Sequence, residues 1–172
     1  MKYLAQDEFF ENAAEIVDKA YRLSYYPRTP DQHFEGRRTK NLLELDPDFY
    51  WSCVQKFIGE YFSKDTHNID ADLFFHRLNS KDKNDPHWKY DKIHTDDCIV
   101  SGIVYLTPDA PMTSGTQTYR KVDNTCVPDV VFHNKFNRMI MFPGNAPHSA
   151  MDIKGGTRDR LTLLLFVYGV NN

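Results

Sequence analysis

The sequence is poor in the features that mark several large protein classes. It holds three cysteines, Cys53, Cys98 and Cys126, an odd number with no CxxC spacing. That pattern argues against a disulfide framework and against a thiolate zinc site, so the thiols are expected to be reduced. Long hydrophobic runs are also missing. The most apolar stretch, "LTLLLFVYGV", falls short of a membrane span, and the start "MKYLAQDEFF" lacks the apolar centre of a secretory signal. A cytoplasmic location with no membrane partner is the expectation. There is no excess of basic charge either: 21 Lys and Arg face 24 Asp and Glu, for a net charge of −3. Such a balance supplies no field for sequence-independent nucleic-acid binding, and the short patch "GRRTK" at 36–40 reads as a solvated basic loop.

What is present is ordinary globular material with an aromatic bias. In 172 residues, 41% are hydrophobic and 14% aromatic, enough for one domain with a real core and a lean towards sheet. Phe9, Ala13, Ile16, Val17, Ala20 and Leu23 recur three and four apart, which predicts an amphipathic helix over 7–26 with Asp7 as N-cap and Pro27 beyond its end. Asp46-Pro47 opens a second helix, where proline suits the first position, and Phe49, Cys53, Phe57 and Tyr61 carry its stripe to about Ser63. Between them, "RTPDQHFEGRRTKNLLEL" is irregular; its basic and aromatic residues either line a site or only connect.

From about residue 69 the texture changes to short β-branched and aromatic runs: "IDADLFFHRL", "CIVSGIVYLT", "TQTYR", "NRMIMF" and "RLTLLLFVYG". Two helices therefore precede an all-β body, and the lack of helices between the strands favours a sandwich, jelly roll or barrel over βαβ units. Helical support over 1–66 and a β body over 67–172 form the expected single domain. "RKVDNTCVPDVVFHNK" reads as a long connection.

Four segments carry chemistry. In "DKIHTDDCIV" an extended chain puts His94 and Asp96 on one face, converging a neutral nitrogen and a carboxylate oxygen. Seven histidines and 18 aspartates in 172 residues give about 0.7 chance His-x-Asp pairs, so this element alone decides nothing. In "FPGNAPHSA" a hydrophobic strand turns at Pro143-Gly144 and delivers His148. Two histidines and one carboxylate with open positions are the donor set of a non-haem Fe(II) site.

In "TRDRLTLLLF", Arg158, Arg160, Thr162, Leu164 and Phe166 share one strand face, while Leu161, Leu163, Leu165 and Val167 form the other. Arg160 thus lies where its guanidinium is partly buried, at a cost that only an anion and further hydrogen bonds offset. Asp159 points the other way, so a bound carboxylate is the natural partner. In "IVSGIVYLT", Ile99, Ser101, Ile103 and Tyr105 share a face that turns the Tyr105 phenol inward.

Together the HTD element, the "GIVYLT" strand, the "SGTQTY" turn, His148 and the "RLTLLLF" strand resemble the Fe(II)/2-oxoglutarate-dependent dioxygenases, the prolyl 4-hydroxylase-like branch above all. The resemblance covers roughly residues 70–168 and implies a double-stranded β-helix (a cupin-like jelly roll) with N-terminal supporting helices. It implies His94, Asp96 and His148 as ligands of Fe(II), with 2-oxoglutarate and O2 as cosubstrates. Arg160, Tyr105 and Thr162 would hold the distal carboxylate of 2-oxoglutarate. Arg158 is a rival for that role, and Asp97 a rival to Asp96 that would face away from His94. "SGTQTY" is similar to the family's Gly-Gly-Glu-Thr turn without its glutamate.

The reaction so implied is hydroxylation of a C–H bond, in a prolyl residue of a peptide or in a small molecule. The alternatives are a zinc enzyme or isomerase on the same scaffold, which would not need Arg160 or Tyr105, and a non-catalytic jelly-roll module, for which the intact HTD element and His148 are a needless coincidence. His33, His67, His76, His87 and His133 are not expected as ligands. The loop 79–91, with Trp88 and Tyr90, either closes over substrate or is plain surface.

Overall fold

The computed structural model describes residues 2–29, 34, 36–62, 67–78, 93–151 and 159–171, without the side chains of His67 and Asn171. Arg158, His33, His87, Trp88 and Tyr90 lie outside the described residues, as does the loop to which the last two belong.

In chain order the elements are β1 (Leu4–Gln6), α1 (Ala13–Arg22), β2 (Tyr26–Pro27), β3 (Arg37–Arg38), α2 (Leu42–Leu45), α3 (Pro47–Tyr61), β4 (His67–Leu78), β5 (Val100–Tyr105), β6 (Thr116–Val122), β7 (Thr125–Phe132), β8 (Met139–Pro143), β9 (His148–Ala150) and β10 (Arg160–Asn171). Seven strands form an antiparallel sheet in the order β1-β8-β5-β10-β4-β3-β2, and three form a smaller one, β7-β6-β9.

Two-residue alternation gives the large sheet two different faces. On one, Leu161, Leu163, Leu165 and Val167 of β10 join Leu73 and Phe75 of β4, Val104 of β5 and Met139 and Met141 of β8 in a core sealed by α1 and α3. Helix α1 buries Ala13, Ile16, Val17 and Ala20, and α3 buries Tyr50, Cys53, Val54, Phe57 and Ile58. The α3 contact is close: a Cβ at Gly102 of β5 would sit 3.0 Å from the Phe57 ring. The other face looks towards the small sheet across a cavity of about 670 Å³. Phe132, Ile140 and Phe142 close one side of the sandwich, packed with Tyr105 and Ala146.

Helix α3 starts where expected. Pro47 occupies its first turn, and the Asp46 carboxylate accepts a hydrogen bond from Phe49 N at 3.0 Å. Helix α1 does not start at Asp7. Glu8 has φ +56°, which no helix accommodates, and Leu4–Gln6 pairs with Met139–Met141 at the sheet edge. Asp7 instead bonds Arg138 and Lys135, and these charges hold its carboxyl down at about 2. Phe9, expected on the helix, packs 5.0 Å from the Phe57 ring as part of the approach to α1.

The stretch expected as a bare connection, 120–135, is largely the β6–β7 hairpin, turning through Asp123 and Asn124, both at positive φ. All three cysteines are unpaired. Among the described residues no helix is long and apolar enough to cross a membrane.

Candidate metal centre and cosubstrate pocket

The segment before β5 is stitched to the β8–β9 turn by main-chain hydrogen bonds. His94 N donates to His148 O at 2.9 Å, His148 N to His94 O at 2.8 Å, and Asp96 N to Gly144 O at 2.9 Å. A side chain at Gly144 would be built 2.2 Å from Cys98 O, so glycine is what allows the two chain segments to touch there. This stitching brings distant residues together. The ligand atoms of His94, Asp96 and His148 all lie within 4.8 Å of one another. His94 Nε2 is 3.8 Å from Asp96 Oδ1, and His148 Nε2 is 3.5 Å from Asp96 Oδ2. Asp97 is exposed and takes no part in the cluster.

Two of the three donors are oriented by their neighbours. His148 Nδ1 lies 2.9 Å from the Ala146 carbonyl oxygen; a carbonyl only accepts, so Nδ1 carries the hydrogen and Nε2 presents its lone pair to the cluster. Burial lowers the His148 pKa, against the opposing pull of Asp96, and favours the neutral ring. Ser101 Oγ donates to Asp96 Oδ2 at 2.5 Å and aims that carboxylate. The Cys98 thiol sits 3.3 Å from Ser101 Oγ, pushed up to about 11 by burial, and so stays protonated. Two imidazole nitrogens and one carboxylate, with Asp96 shielded and His94 half exposed, fit a divalent transition metal with open positions.

Deeper in the same cavity, Arg160 is 8% exposed. Its Nη2 makes long contacts, 3.3 Å to Gly115 O and 3.4 Å to Thr116 Oγ1, and its buried Nε has no partner among the described residues. Asp159 points away and pairs with Arg77, accepting from Arg77 Nε at 2.9 Å. Tyr105 lies fully buried beneath the guanidinium, 5.4 Å from ring centroid to Arg160 Cζ, and donates to Thr116 Oγ1 at 2.8 Å. Thr162 is opposite Tyr105 in the ladder and lines the same cavity. The strand-face arithmetic placed all three residues correctly. Gly115 is again a close approach: a Cβ there would lie 1.8 Å from Phe132 O.

Three lining residues were not expected. Ser101 was legible only as a residue on the inward face, and Thr116 only as part of a turn. Arg38 overturns the reading of "GRRTK" as a solvated loop. Arg38 pairs with His76 in the β3–β4 ladder and lines the cavity, because β3 adds to the sheet edge with its side chain turned inward. His76 also lines the cavity, but lies outside the ligand cluster.

No protein-family model matches the sequence, and no curated protein aligns with it. Solved structures do resemble the fold. The alpha-ketoglutarate-dependent non-haem epimerase SnoN of nogalamycin biosynthesis superposes with a TM-score of 0.65 at 11% identity, over 96% of this chain and 78% of that one. SnoN has also been solved with Fe3+, alpha-ketoglutarate and nogalamycin RO. A prolyl hydroxylase from Trichoplax adhaerens, bound to a hypoxia-inducible-factor peptide, gives 0.60 at 12% identity, covering 96% and 83% of the two chains. A prolyl-4-hydroxylase from Pseudomonas putida gives 0.57 at 12%, covering 97% and 92%.

Likeness at this level of identity establishes architecture: the chain is a double-stranded β-helix with N-terminal supporting helices. Within that architecture it carries a His-x-Asp…His cluster and a buried arginine in one cup.

Proposed function

We propose that the protein is an Fe(II)- and 2-oxoglutarate-dependent oxygenase that hydroxylates an unactivated C–H bond, with residues 1–172 as one catalytic domain. The observation that carries this reading is Arg160, a buried guanidinium with no acid paired to it among the described residues, sharing a cavity with the histidine and aspartate cluster. A zinc hydrolase, an isomerase that uses no 2-oxoglutarate or a passive binding module on this scaffold has no use for such a residue, whose burial is costly until an anion arrives. The similar structures, an alpha-ketoglutarate-dependent epimerase and prolyl hydroxylases, support the cosubstrate part of this reading.

In this reading His94, Asp96 and His148 hold iron, and Arg160, with Tyr105 and Thr162, grips the distal carboxylate of 2-oxoglutarate. Bound iron, 2-oxoglutarate and O2 together supply the oxidising power, yielding succinate, CO2 and a hydroxylated product. The protein positions the cosubstrate from its far end, aims Asp96 through Ser101, and walls the cup with Phe142, Leu164 and Phe166 to limit water. Asp96 would be the third protein ligand beside the two histidines, a donor set that favours hydroxylation. A peptidyl proline and a small molecule are both substrates within this reading.

Anaerobic addition of Fe(II) and 2-oxoglutarate to the purified chain should produce the weak visible charge-transfer band of the chelate, and His94→Ala should remove it. Mass spectrometry of candidate substrates after exposure to O2 should then find an added oxygen. Folded wild-type protein that binds zinc stoichiometrically yet never shows the band would refute the proposal.

A further inference from the structure

Three arginines line the cup, Arg28, Arg38 and Arg160, and the oxygenase chemistry uses only the last. Arg38 enters from β3, whose approach to β4 depends on Gly36: its φ is +79°, and a Cβ there would lie 2.3 Å from Arg77 O. The guanidinium carbon lies 4.1 Å from the Phe34 ring centroid, 5.2 Å from Phe166 and 5.7 Å from Phe74. Its Nε is buried without a hydrogen-bond partner, and among the described residues no carboxylate forms an ion pair with it. The acids whose charge it feels most are Asp96 and Asp72. Both are already engaged. Asp96 accepts from Ser101 and faces the histidines, while Asp72 accepts from Asn41 Nδ2 at 2.6 Å and Tyr168 OH at 3.1 Å. Burial draws the Arg38 pKa down to about 10, still charged at neutral pH.

We infer that Arg38 anchors a carboxylate of the primary substrate, which is therefore a small monoanionic carboxylic acid lying between the Phe34–Phe74–Phe166 box and the metal cluster. The inference rests on the oxygenase reading for the role of the metal end. Rings packed around a guanidinium leave its in-plane N–H edge to recognise a ligand, and that edge matches a planar carboxylate.

Arg28, Arg38 and Arg160 line the same cavity as Asp96 and Asp97, a balance of one positive charge that a monoanion neutralises and a dianion such as a phosphate ester overshoots. The cosubstrate already has an arginine for its distal carboxylate in Arg160 on β10; Arg38 sits two strands away, its ladder partner His76 standing opposite Thr162. A cavity of about 670 Å³ suits a small molecule beside the cosubstrate.

The test titrates hexanoate, hexanamide and hexyl phosphate into the full chain loaded anaerobically with Fe(II) and 2-oxoglutarate, following the charge-transfer band and the melting temperature. Hexanoate should bind saturably, better than hexyl phosphate, and hexanamide should not. R38M should weaken hexanoate roughly 10- to 100-fold, the worth of hydrogen bonds to a charged group, while the band still forms. R38K, which keeps the charge but loses the fork and the stacking, should also weaken it and covers the case that R38M does not fold.

No hexanoate binding, equal binding of acid and amide, tighter binding of the phosphate, or an affinity unchanged in both variants would overturn the proposal. If the band never forms in wild type, the oxygenase reading fails by itself. Melting of the metal-free chain then still reads the Arg38 site, through a hexanoate response lost in R38M and kept in R160M.

Discussion

Arg160→Met should move ligand affinity and apo stability in opposite directions. The wild-type guanidinium receives little from the protein: two long contacts at 3.3 and 3.4 Å, a buried Nε without a partner, and the Tyr105 ring at 5.4 Å. Losing the ring contact costs about 0.5–1 kcal/mol. Removing an under-solvated charge returns on the order of 1–3 kcal/mol, and methionine fills much of the same volume. The metal-free variant should therefore melt at the wild-type temperature or a few degrees higher, at roughly 2–4 °C per kcal/mol for a chain of this size.

Binding of 2-oxoglutarate loses a bidentate charge-assisted pair. At about 1.5–3 kcal/mol per bond, that is about 3–6 kcal/mol, or roughly 10²- to 10⁴-fold in Kd. Calorimetric titration of 2-oxoglutarate into the Fe(II)-loaded, oxygen-free protein measures the second quantity and thermal melting the first. A variant that melts well below wild type yet binds 2-oxoglutarate normally would show Arg160 to be a structural residue and would remove the main support for the proposed activity.

Other expected outcomes concern the supports of the site. Ser101→Ala removes the hydroxyl that aims Asp96 and should weaken Fe(II) binding roughly 10-fold, read by competition with a fluorescent chelator, with little change in melting; unchanged affinity would make that contact incidental. Gly144→Ala puts a Cβ against Cys98 O and should cost about 1–3 kcal/mol by denaturant unfolding, with metal binding reduced because the Asp96 N–Gly144 O bond must shift.

Asp7→Asn tests the charge clasp at the chain start. The Asp7 pKa is depressed, so its contribution is present above the ordinary value near 3.8 and fades as pH falls through about 2. After allowing for solvent screening it is worth about 0.5–1 kcal/mol. The stability gap between wild type and D7N should therefore be constant above pH 5 and close towards pH 2. A gap that persists at pH 2 would point to packing in place of charge.

The parts of the fold that were readable in advance are those governed by short periods. Helix α3 announces itself through Asp46-Pro47, because capping is settled within one turn. The two faces of β10 follow from alternation, as does the inward turn of Tyr105. Strand β1 was hidden because Leu4–Gln6 is too short to show a period and looks like a helix entrance, and only pairing with β8 makes it a strand. Strand β7 was hidden by Pro128. A proline normally argues against a strand, but β7 is an edge of the small sheet and Pro128 faces Tyr119 beside a register shift, where one fewer N–H is tolerated.

By itself, then, the sequence determined the local geometry of the candidate site: His94 and Asp96 converge because residues two apart in an extended chain share a side, and Arg160 turns inward for the same reason. Only the tertiary structure decided that His148 meets that pair, because the meeting depends on main-chain bonds across some fifty residues and on a glycine thin enough to let two segments touch. Only it decided, too, that Arg38 is inside. A short basic patch looks the same on paper in solvent or in a cup, and the difference lies in which strand pairs with its two-residue β3.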